Sequence, residues 1–183
     1  MKYFPKIEWE NVYLSPLNSD DAEILTKWMN DHKVTDYIPM WSNVATLIWE
    51  RARLENISKN WSYTFAIVKK EWNQFIWTVA LESVDYINQS AFIWIVIWDI
   101  HEHSKWYWRD AINTLLSYAY NTLNLYNVSL RVRSFNERAI ACYRKCWFKE
   151  VWTRNHCIYY KGEWYDYILM EILKPDWQEK NKL

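Results

Sequence analysis

A polar loop between an apolar strand and an amphipathic helix is the stretch of this chain best suited to chemistry. Residues 99–110 read D-I-H-E-H-S-K-W-Y-W-R-D and follow an apolar run at 91–97 that predicts a strand. After the loop, apolar residues recur at spacings of three and four, which predicts a central helix over 107–123. Backbone N–H groups collect at a helix N-terminus, where the helix dipole favours an anion. The loop should therefore hold a phosphate group, provided that its side chains let the phosphate approach.

Two tryptophans in this loop, Trp106 and Trp108, conflict with that role. The chain has one glycine and 15 tryptophans among 183 residues, whereas average usage predicts about 13 glycines. Other tryptophans stand in settings that favour glycine. Trp147 follows a predicted helix, where a left-handed C′ glycine is the usual terminator, and Trp72 lies in a predicted hairpin turn.

We hypothesise that many of these tryptophans stand where the natural protein has glycine. One route is a UGA codon that the source cell translates as glycine. Trp28 and Trp164 are exceptions, because each fits an amphipathic element. The alternative is a tryptophan-rich chain that is real as written.

Charge and cysteine content narrow the class of protein. The 22 basic and 22 acidic residues give a net charge of zero, which favours neither nucleic acid nor an anionic membrane as a partner. The sequence has no apolar stretch long enough for a membrane span and no signal-peptide pattern at its start. Three cysteines without a C-x-x-C motif suit a reducing compartment, so we expect a cytoplasmic protein.

The periodicity along the chain predicts an α+β fold in the order β-α-α-β-β-β-α-β-α-β-β. A helix between two strands in the middle predicts one parallel step in an otherwise antiparallel sheet. We expect a single domain over 1–183, with its core at 8–174, an irregular segment at 31–41 and a frayed polar tail from 175. In the second helix, Leu47, Ile48 and Leu54 are predicted to face inward. The predicted strands are 11–17, 63–68, 75–84, 91–97, 128–132, 149–160 and 164–173, and the predicted helices are 22–29, 44–57, 107–123 and 136–146.

Four stretches make the chain resemble the GCN5-related N-acetyltransferase (GNAT) superfamily. They are N-V-Y-L-S-P-L with D-A-E-I-L-T-K-W-M-N-D, F-I-W-T-V-A-L, H-S-K-W-Y-W-R-D-A, and S-F-N-E-R-A-I-A-C-Y-R-K-C-W-F. Within the superfamily, the chain is most similar to the branch of ribosomal-protein N-terminal acetyltransferases and spermidine acetyltransferases. The resemblance covers residues 11–173 and implies the GNAT fold, a mixed and mostly antiparallel sheet with flanking helices.

The family's pyrophosphate loop, Arg/Gln-x-x-Gly-x-Gly/Ala, falls on His103, Ser104, Lys105, Trp106, Tyr107 and Trp108. The resemblance therefore implies that these residues bind the cofactor. His103 replaces Arg or Gln, and two tryptophans replace the small residues. The branch also commonly has glycine at Trp77, Trp94, Trp98 and Trp147.

The resemblance implies an acyltransferase that moves an acetyl group from acetyl-CoA to a primary amine by direct attack. In the family a backbone N–H before the loop, here at Ile93, Trp94 or Ile95, stabilises the thioester oxygen. Tyr143 corresponds to the general acid for the leaving thiolate. Asn136 corresponds to a ligand of the pantetheine arm and is also a plausible helix N-cap, and Ala139 lies at family spacing between them.

The sequence specifies the general base and the acceptor amine less clearly than the cofactor site. Glu82 and Asp85 lie near a strand end facing the expected amine site, but a water chain would also serve. Asp31, Asp36 and Glu50 fall in the segment that usually walls the acceptor site, which would suit a cationic amine. Each of these acids is otherwise an ordinary surface residue. A peptide N-terminus and a polyamine rank level as acceptors, with aminoglycosides behind them.

Several alternatives stay open at this point. If the loop tryptophans are real, the chain would be a non-catalytic binding module of the GNAT fold with aromatic platforms. His101 and His103 form H-x-H without further ligands at a recognisable spacing, so we expect no metal. A homodimer is left open.

Overall fold

The computed structural model describes residues 2–39, 42–60, 62–97 and 107–181, with the side chains of 96 and 97 excepted. In chain order, the strands are β1 (Ile7–Glu8), β2 (Val12–Pro16), β3 (Tyr63–Lys69), β4 (Gln74–Asp85), β5 (Ser90–Ile97), β6 (Asn127–Arg133), β7 (Lys149–Tyr160) and β8 (Glu163–Leu173). The helices are α1 (Ala22–Met29), α2 (His32–Thr35), α3 (Leu47–Lys59), α4 (Tyr107–Ser117), α5 (Glu137–Lys145) and α6 (Lys174–Lys180).

The strands form a mixed sheet in the order β1-β2-β3-β4-β5-β6-β8-β7. Strands β5 and β6 are parallel, while β1 with β2, β2 with β3, β6 with β8 and β7 with β8 are antiparallel. The predicted α+β fold with one parallel step is therefore confirmed. The parallel pair forms because α4 connects β5 to β6 as a crossover.

The chain divides into two compact units. The first comprises Met1–Ala80 and Ile95–Leu115, and the second comprises Leu81–Trp94 and Leu116–Leu183. The expectation of a single domain over the whole chain stays a prediction.

In the first unit, polar contacts at Asp21 secure the start of α1. Asp21 accepts hydrogen bonds from the Tyr3 hydroxyl at 2.7 Å and from the backbone N–H of Asn18 at 2.9 Å. The Lys2 ammonium lies 2.7 Å from the same carboxylate. Because its charge is paired and its oxygens are hydrogen-bonded, this acid is tolerated in a fully buried position.

In the second unit, Tyr120, which follows α4, contacts both β8 and α6. The Tyr120 hydroxyl donates to the Ile172 carbonyl at 2.7 Å, and the Tyr120 ring lies 5.5 Å from that of Trp177. The β7–β8 hairpin turns at Lys161 and Gly162, whose φ angles are 48° and 92°. Two successive positive φ values are the signature of a type I′ turn, so the chain's one glycine lies where its conformational freedom is required.

Two sequence predictions about helices are wrong. Ile48 was expected to face inward but is 82% exposed, whereas Glu50 is buried. Helix α3 begins at Leu47 after its Thr46 cap, and Leu54 and Glu50 lie four residues apart on the face turned to the core. A short helix, α2, also forms in the segment expected to be irregular, where the Asp31 side chain accepts the Lys33 N–H.

The C-terminal segment is not a frayed tail. It forms α6, which is held in place by Trp177, a buried side chain against Tyr120. The predicted central helix ends as α4 at Ser117, and the chain continues as a π-helical turn over Tyr118–Thr122. The order of the C-terminal segment arises from tertiary packing, which a polar local sequence does not report.

Candidate active site

The parallel pairing of β5 with β6 ends early. Ser90, Ala91 and Phe92 pair with Asn127, Val128 and Ser129. Strand β6 continues to Arg133, but beyond Phe92 the described residues of β5 have no partner in it. The edge of β5 that faces β6 is therefore unpaired at Ile93 and Trp94.

This unpaired edge coincides with the residues expected to stabilise the thioester oxygen. The Ile93 side chain is buried, so the strand is anchored while its edge lacks a ladder partner. A backbone polar group in such a position needs another partner, which a ligand or water can supply. Ile93 and Trp94 belong to the second unit, and Ile95 belongs to the first.

Helix α5 places three predicted site residues on one face. Asn136, Ala139 and Tyr143 are spaced by three and four residues, so they lie above one another on the helix. The Asn136 Oδ1 accepts the Ala139 N–H at 3.1 Å, which confirms the predicted N-cap. Among the described residues, no partner is seen for the Asn136 Nδ2. The Asn136 side chain can therefore cap the helix through its oxygen and donate to a ligand through its nitrogen at the same time.

Tyr143 is half-buried, and its ring packs edge-on against Phe148 at 6.0 Å. Burial raises the pKa of its hydroxyl above the usual range, and the neighbouring Cys142 and Cys146 thiols raise it further. A phenol with a raised pKa stays protonated at neutral pH. Tyr143 is thus in the state that a proton donor requires.

The residue after α5 has a left-handed backbone, as the sequence predicted. Trp147 has φ +69°. Its N–H donates to the Arg144 carbonyl at 3.0 Å, and the Phe148 N–H donates to the Tyr143 carbonyl at 3.0 Å. These two bonds form a Schellman motif, in which the left-handed C′ residue is usually glycine. For a bulky residue this conformation is a genuine outlier.

Trp72 and Trp77 differ in whether the structure supports a glycine at their positions. The β3–β4 turn does contain a left-handed residue, but it is Asn73 with φ +52°, so the assignment to Trp72 is wrong. Asparagine tolerates this conformation better than most residues. Trp77 in β4 is fully buried, and its Nε1 has no hydrogen-bond partner in the described part of the chain. A buried indole N–H normally has one, so Trp77 fits its site poorly.

Most of the predicted pyrophosphate loop, comprising His103, Ser104, Lys105 and Trp106, lies outside the described residues, as does Trp98. Tyr107 and Trp108 are the first residues of α4 and are half-buried. Trp108 does not have a positive φ, so its backbone does not call for glycine. The objection to Trp108 is its bulk beside the helix N-terminus.

Sequence reasoning missed two residues that hold α4 in the first unit. The Asp110 carboxylate accepts both the backbone N–H and the side-chain amide of Asn11, at 2.6 and 3.2 Å. The Lys69 ammonium lies 4.8 Å from the centroid of the Tyr107 ring. One signal was present, because Lys69 directly extends the apolar run F-A-I-V of β3.

The two candidate bases differ in their surroundings. Glu82 is exposed and precedes Ser83, whose φ of +50° marks a left-handed residue within β4. The Asp85 carboxylate accepts the N–H of Asn88 at 2.8 Å, the N–H of Ile87 at 2.9 Å and the Asn88 amide at 2.7 Å. These bonds, above all that from the Asn88 N–H, lower the pKa of Asp85. A carboxylate so engaged in its own turn is a weaker base than an ordinary aspartate.

The acids expected near the acceptor belong to the first unit. Asp36 is half-buried at the C-terminal end of α2. Glu50 is fully buried, and its Oε1 forms an ion pair with Arg53. The Glu50 Oε2 is also buried and has no hydrogen-bond partner among the described residues. Glu50 therefore retains an acceptor, whereas the Asp31 carboxylate caps α2.

Neither a metal-binding cluster nor a membrane-spanning helix occurs among the described residues. No group of three or more His, Cys, Asp or Glu side chains there is arranged to hold a metal ion. No helix in the same part of the chain has both the length and the apolarity needed to cross a membrane.

Comparisons with known proteins agree with this geometry. A structure of spermidine N-acetyltransferase from Vibrio cholerae, in complex with CoA and spermine, has a TM-score of 0.80 at 24% identity and covers 92% of this chain and 98% of its own. A GNAT-family acetyltransferase from Bacillus anthracis has a TM-score of 0.79 at 18% identity, over 92% of this chain and 98% of that one. An uncharacterized N-acetyltransferase p20 of Bacillus licheniformis is 23% identical over 171 residues, which are 92% of this chain and 96% of that protein.

The structural likenesses establish the fold, and the family assignment comes from the sequence. Residues 14–169 match the family described as the acetyltransferase (GNAT) domain, which covers most of the chain. The chain therefore belongs to the GNAT family of acetyltransferases.

Proposed function

We propose that this acetyltransferase moves an acetyl group from acetyl-CoA to a primary amine by direct attack. The observation that supports the proposal best is the edge of β5, which is unpaired at Ile93 and Trp94. A thioester carbonyl beside this edge would accept a backbone N–H as its oxygen gains charge. The α5 face with Asn136 and Tyr143 would supply a ligand for the pantetheine arm and a proton donor for the leaving thiolate.

The proposed step balances without an acyl-enzyme. The acceptor ammonium first loses one proton to solvent. Its neutral nitrogen then attacks the thioester carbon, the C–N bond forms, and the C–S bond breaks as the tetrahedral intermediate collapses. The thiolate takes the proton of the Tyr143 hydroxyl, and the proton lost by the amine replaces it through water. Glu82 is the stronger candidate to relay that proton, since the Asp85 carboxylate is engaged in its turn.

We propose a cationic amine as the acceptor and test a polyamine against a peptide N-terminus. Asp36 and Glu50 bring negative charge to the segment assigned to the acceptor, and the Glu50 Oε2 has no partner in the described structure. The similar spermidine N-acetyltransferase from Vibrio cholerae binds spermine together with CoA. A homodimer and a cytoplasmic location stay predictions; none of the three cysteines, all within the described residues, forms a disulfide.

The test measures release of free thiol from acetyl-CoA by two full-length chains, one as written and one with Trp106→Gly and Trp108→Gly. Spermidine and a peptide with a free N-terminus are compared, and the same peptide with an acetylated N-terminus is the control. Thiol release with one amine and none with the control supports the proposal. If both chains are folded and neither binds acetyl-CoA, the proposed reaction is wrong and a non-catalytic module replaces it.

A further inference from the structure

An exposed arginine lies at the point where β5 and β6 separate. Phe92 is the last described residue of β5 that pairs with β6, and its partner there is Ser129. Arg131 follows two residues later in β6, level with Trp94, where the ladder has already ended. Because side chains alternate between the two faces of a strand, Phe92, Ser129 and Arg131 share one face. Arg131 therefore borders the unpaired edge that is proposed to bind the thioester.

The Arg131 guanidinium is held by stacking and keeps its hydrogen-bond donors. Its Cζ lies 4.9 Å from the centroid of the Phe92 ring. Among the described residues, Arg131 has no hydrogen bond or ion pair. Glu171, which lies opposite Ser129 in β8, instead accepts the Asn127 amide at 3.0 Å. A guanidinium stacked on a ring presents its N–H groups as a planar fork, which matches the geometry of a carboxylate.

Helix α5 lies on the opposite face of these strands. Met170 of β8 pairs with Leu130 of β6 and with Glu150 of β7, so these three side chains share a face. The Arg144 Nε of α5 donates to the Glu150 carboxylate at 2.9 Å, which places α5 over that face. Arg131 is the residue after Leu130, and its side chain therefore belongs to the other face.

This arrangement separates the two sides of a thioester held at the edge of β5. In the proposed reaction, Asn136 binds the pantetheine arm and Tyr143 protonates the thiolate, and both residues approach from the side of α5. The attacking amine must then arrive from the opposite side of the thioester. On that side, the described charge next to the unpaired edge is the Arg131 guanidinium, so an acceptor meets a cation beside the reacting carbon.

We propose that Arg131 determines specificity by binding a carboxylate of the acceptor, and that the acceptor is a peptide N-terminus with an acidic side chain among its first residues. Such a peptide carries both the amine to be acetylated and the anion that Arg131 binds. A polyamine carries positive charge alone, which Arg131 repels. The inference rests on the proposed function and selects between the two acceptors named there.

The test measures kcat/KM for matched peptides with the more active of the two full-length chains. Each peptide has a free N-terminus and a single glutamate at its second, third or fourth residue, and its counterpart has glutamine there. At one of these positions glutamate should be preferred about tenfold. Arg131→Gln should reduce this preference to about twofold or less. Arg131→Glu should reverse it, so that lysine at the same position is preferred over glutamine.

Three further variants complete the test. Arg154→Gln is the matched control, because Arg154 is an exposed arginine of β7, which is two strands from β6 in the sheet, and the preference should stay the same. Arg131→Lys keeps the charge without the planar fork and should retain only part of the preference. Phe92→Leu removes the ring that orients the guanidinium and should also lower the preference, which gives a second measurement if the Arg131 variants do not fold.

Equal kcat/KM for glutamate and glutamine peptides at every position would overturn the inference, as would a preference that survives Arg131→Gln. A loss in Arg154→Gln as large as in Arg131→Gln would show a general effect of surface charge and would also overturn it, and so would acetylation of spermidine but of no peptide. Fluorescence anisotropy measures binding of the same peptides without turnover. A chain that binds the glutamate peptide preferentially but acetylates no amine refutes the proposed function, whereas an active enzyme without the preference refutes only this inference.

Discussion

The left-handed backbone at Trp147 allows a direct test of whether this position requires glycine. Replacing Trp147 with glycine alone mixes two effects, because the half-exposed ring also buries apolar area that stabilises the fold. Trp147→Gly and Trp147→Ala both lose the ring and differ only in the Cβ. Their comparison therefore isolates the cost of a side chain at φ +69°.

The expected sign follows from two opposing terms. A Cβ in the left-handed region costs roughly 1–2 kcal/mol, which favours glycine. Glycine loses more backbone entropy on folding, which favours alanine by about 0.5–1 kcal/mol in regular structure. At a Schellman C′ position the first term is the larger, so Trp147→Gly should be more stable than Trp147→Ala by about 1 kcal/mol.

Urea unfolding followed by circular dichroism measures this difference, provided that the m-value is the same in both variants. A change of 1 kcal/mol also shifts Tm by about 2–4 °C in a chain of this length. Ala141→Gly is the control in the same helix, because Ala141 is exposed in the interior of α5. There glycine should destabilise by about 1 kcal/mol, the opposite sign.

Equal stability of the two variants, or a more stable Trp147→Ala, would refute the argument from the Schellman motif. It would also remove the strongest structural support for glycine at this position in the natural protein. An intact mass of the protein from its own cells tests that hypothesis separately. A mass that matches the written chain would show that the tryptophans are real.

Three other predictions concern the site and its surroundings. Trp106→Gly with Trp108→Gly should raise acetyl-CoA affinity at least about tenfold in calorimetric titration, and an unchanged Kd would remove the argument about the loop. Tyr143→Phe should lower kcat by about 10²-fold or more with a smaller effect on KM. Because the pKa of Tyr143 is raised, the hydroxyl remains a donor throughout the neutral range, and wild-type kcat should show no loss from its ionisation between about pH 7 and 10. Asp85→Ala should lower Tm at neutral pH, because the carboxylate stabilises its turn. The difference in Tm from wild type should shrink as the pH falls through the lowered pKa of Asp85, since protonation removes this stabilisation. A difference in Tm that does not change with pH would contradict the role of Asp85 in the turn.

Several features were predictable because their causes are local. The positions of strands β3, β4 and β5 and the cap at Asn136 follow from neighbouring residues. The left-handed residue after α5 also follows from the local pattern, since a helix that ends needs a C′ residue of this conformation. The family resemblance added the fold and the proposed site residues.

Other features depended on contacts that local patterns do not contain. Ile48 is exposed and Glu50 buried because α3 turns the face with Glu50 and Leu54 to the core. The polar C-terminal segment is ordered because Trp177 finds Tyr120, more than fifty residues earlier in the chain. Neither contact leaves a signal in the hydrophobic period of its own segment.

The sequence by itself determined the order of the longer elements, the parallel step and the placing of Asn136, Ala139 and Tyr143 on one face of α5, because these depend on periodicity and on spacing within one element. Only the tertiary structure decided that β5 leaves the β6 ladder after Phe92 and that Lys69 is buried against Tyr107. Each of these is set by which distant groups meet, and burial and hydrogen bonding change a side chain's chemistry only once they have met.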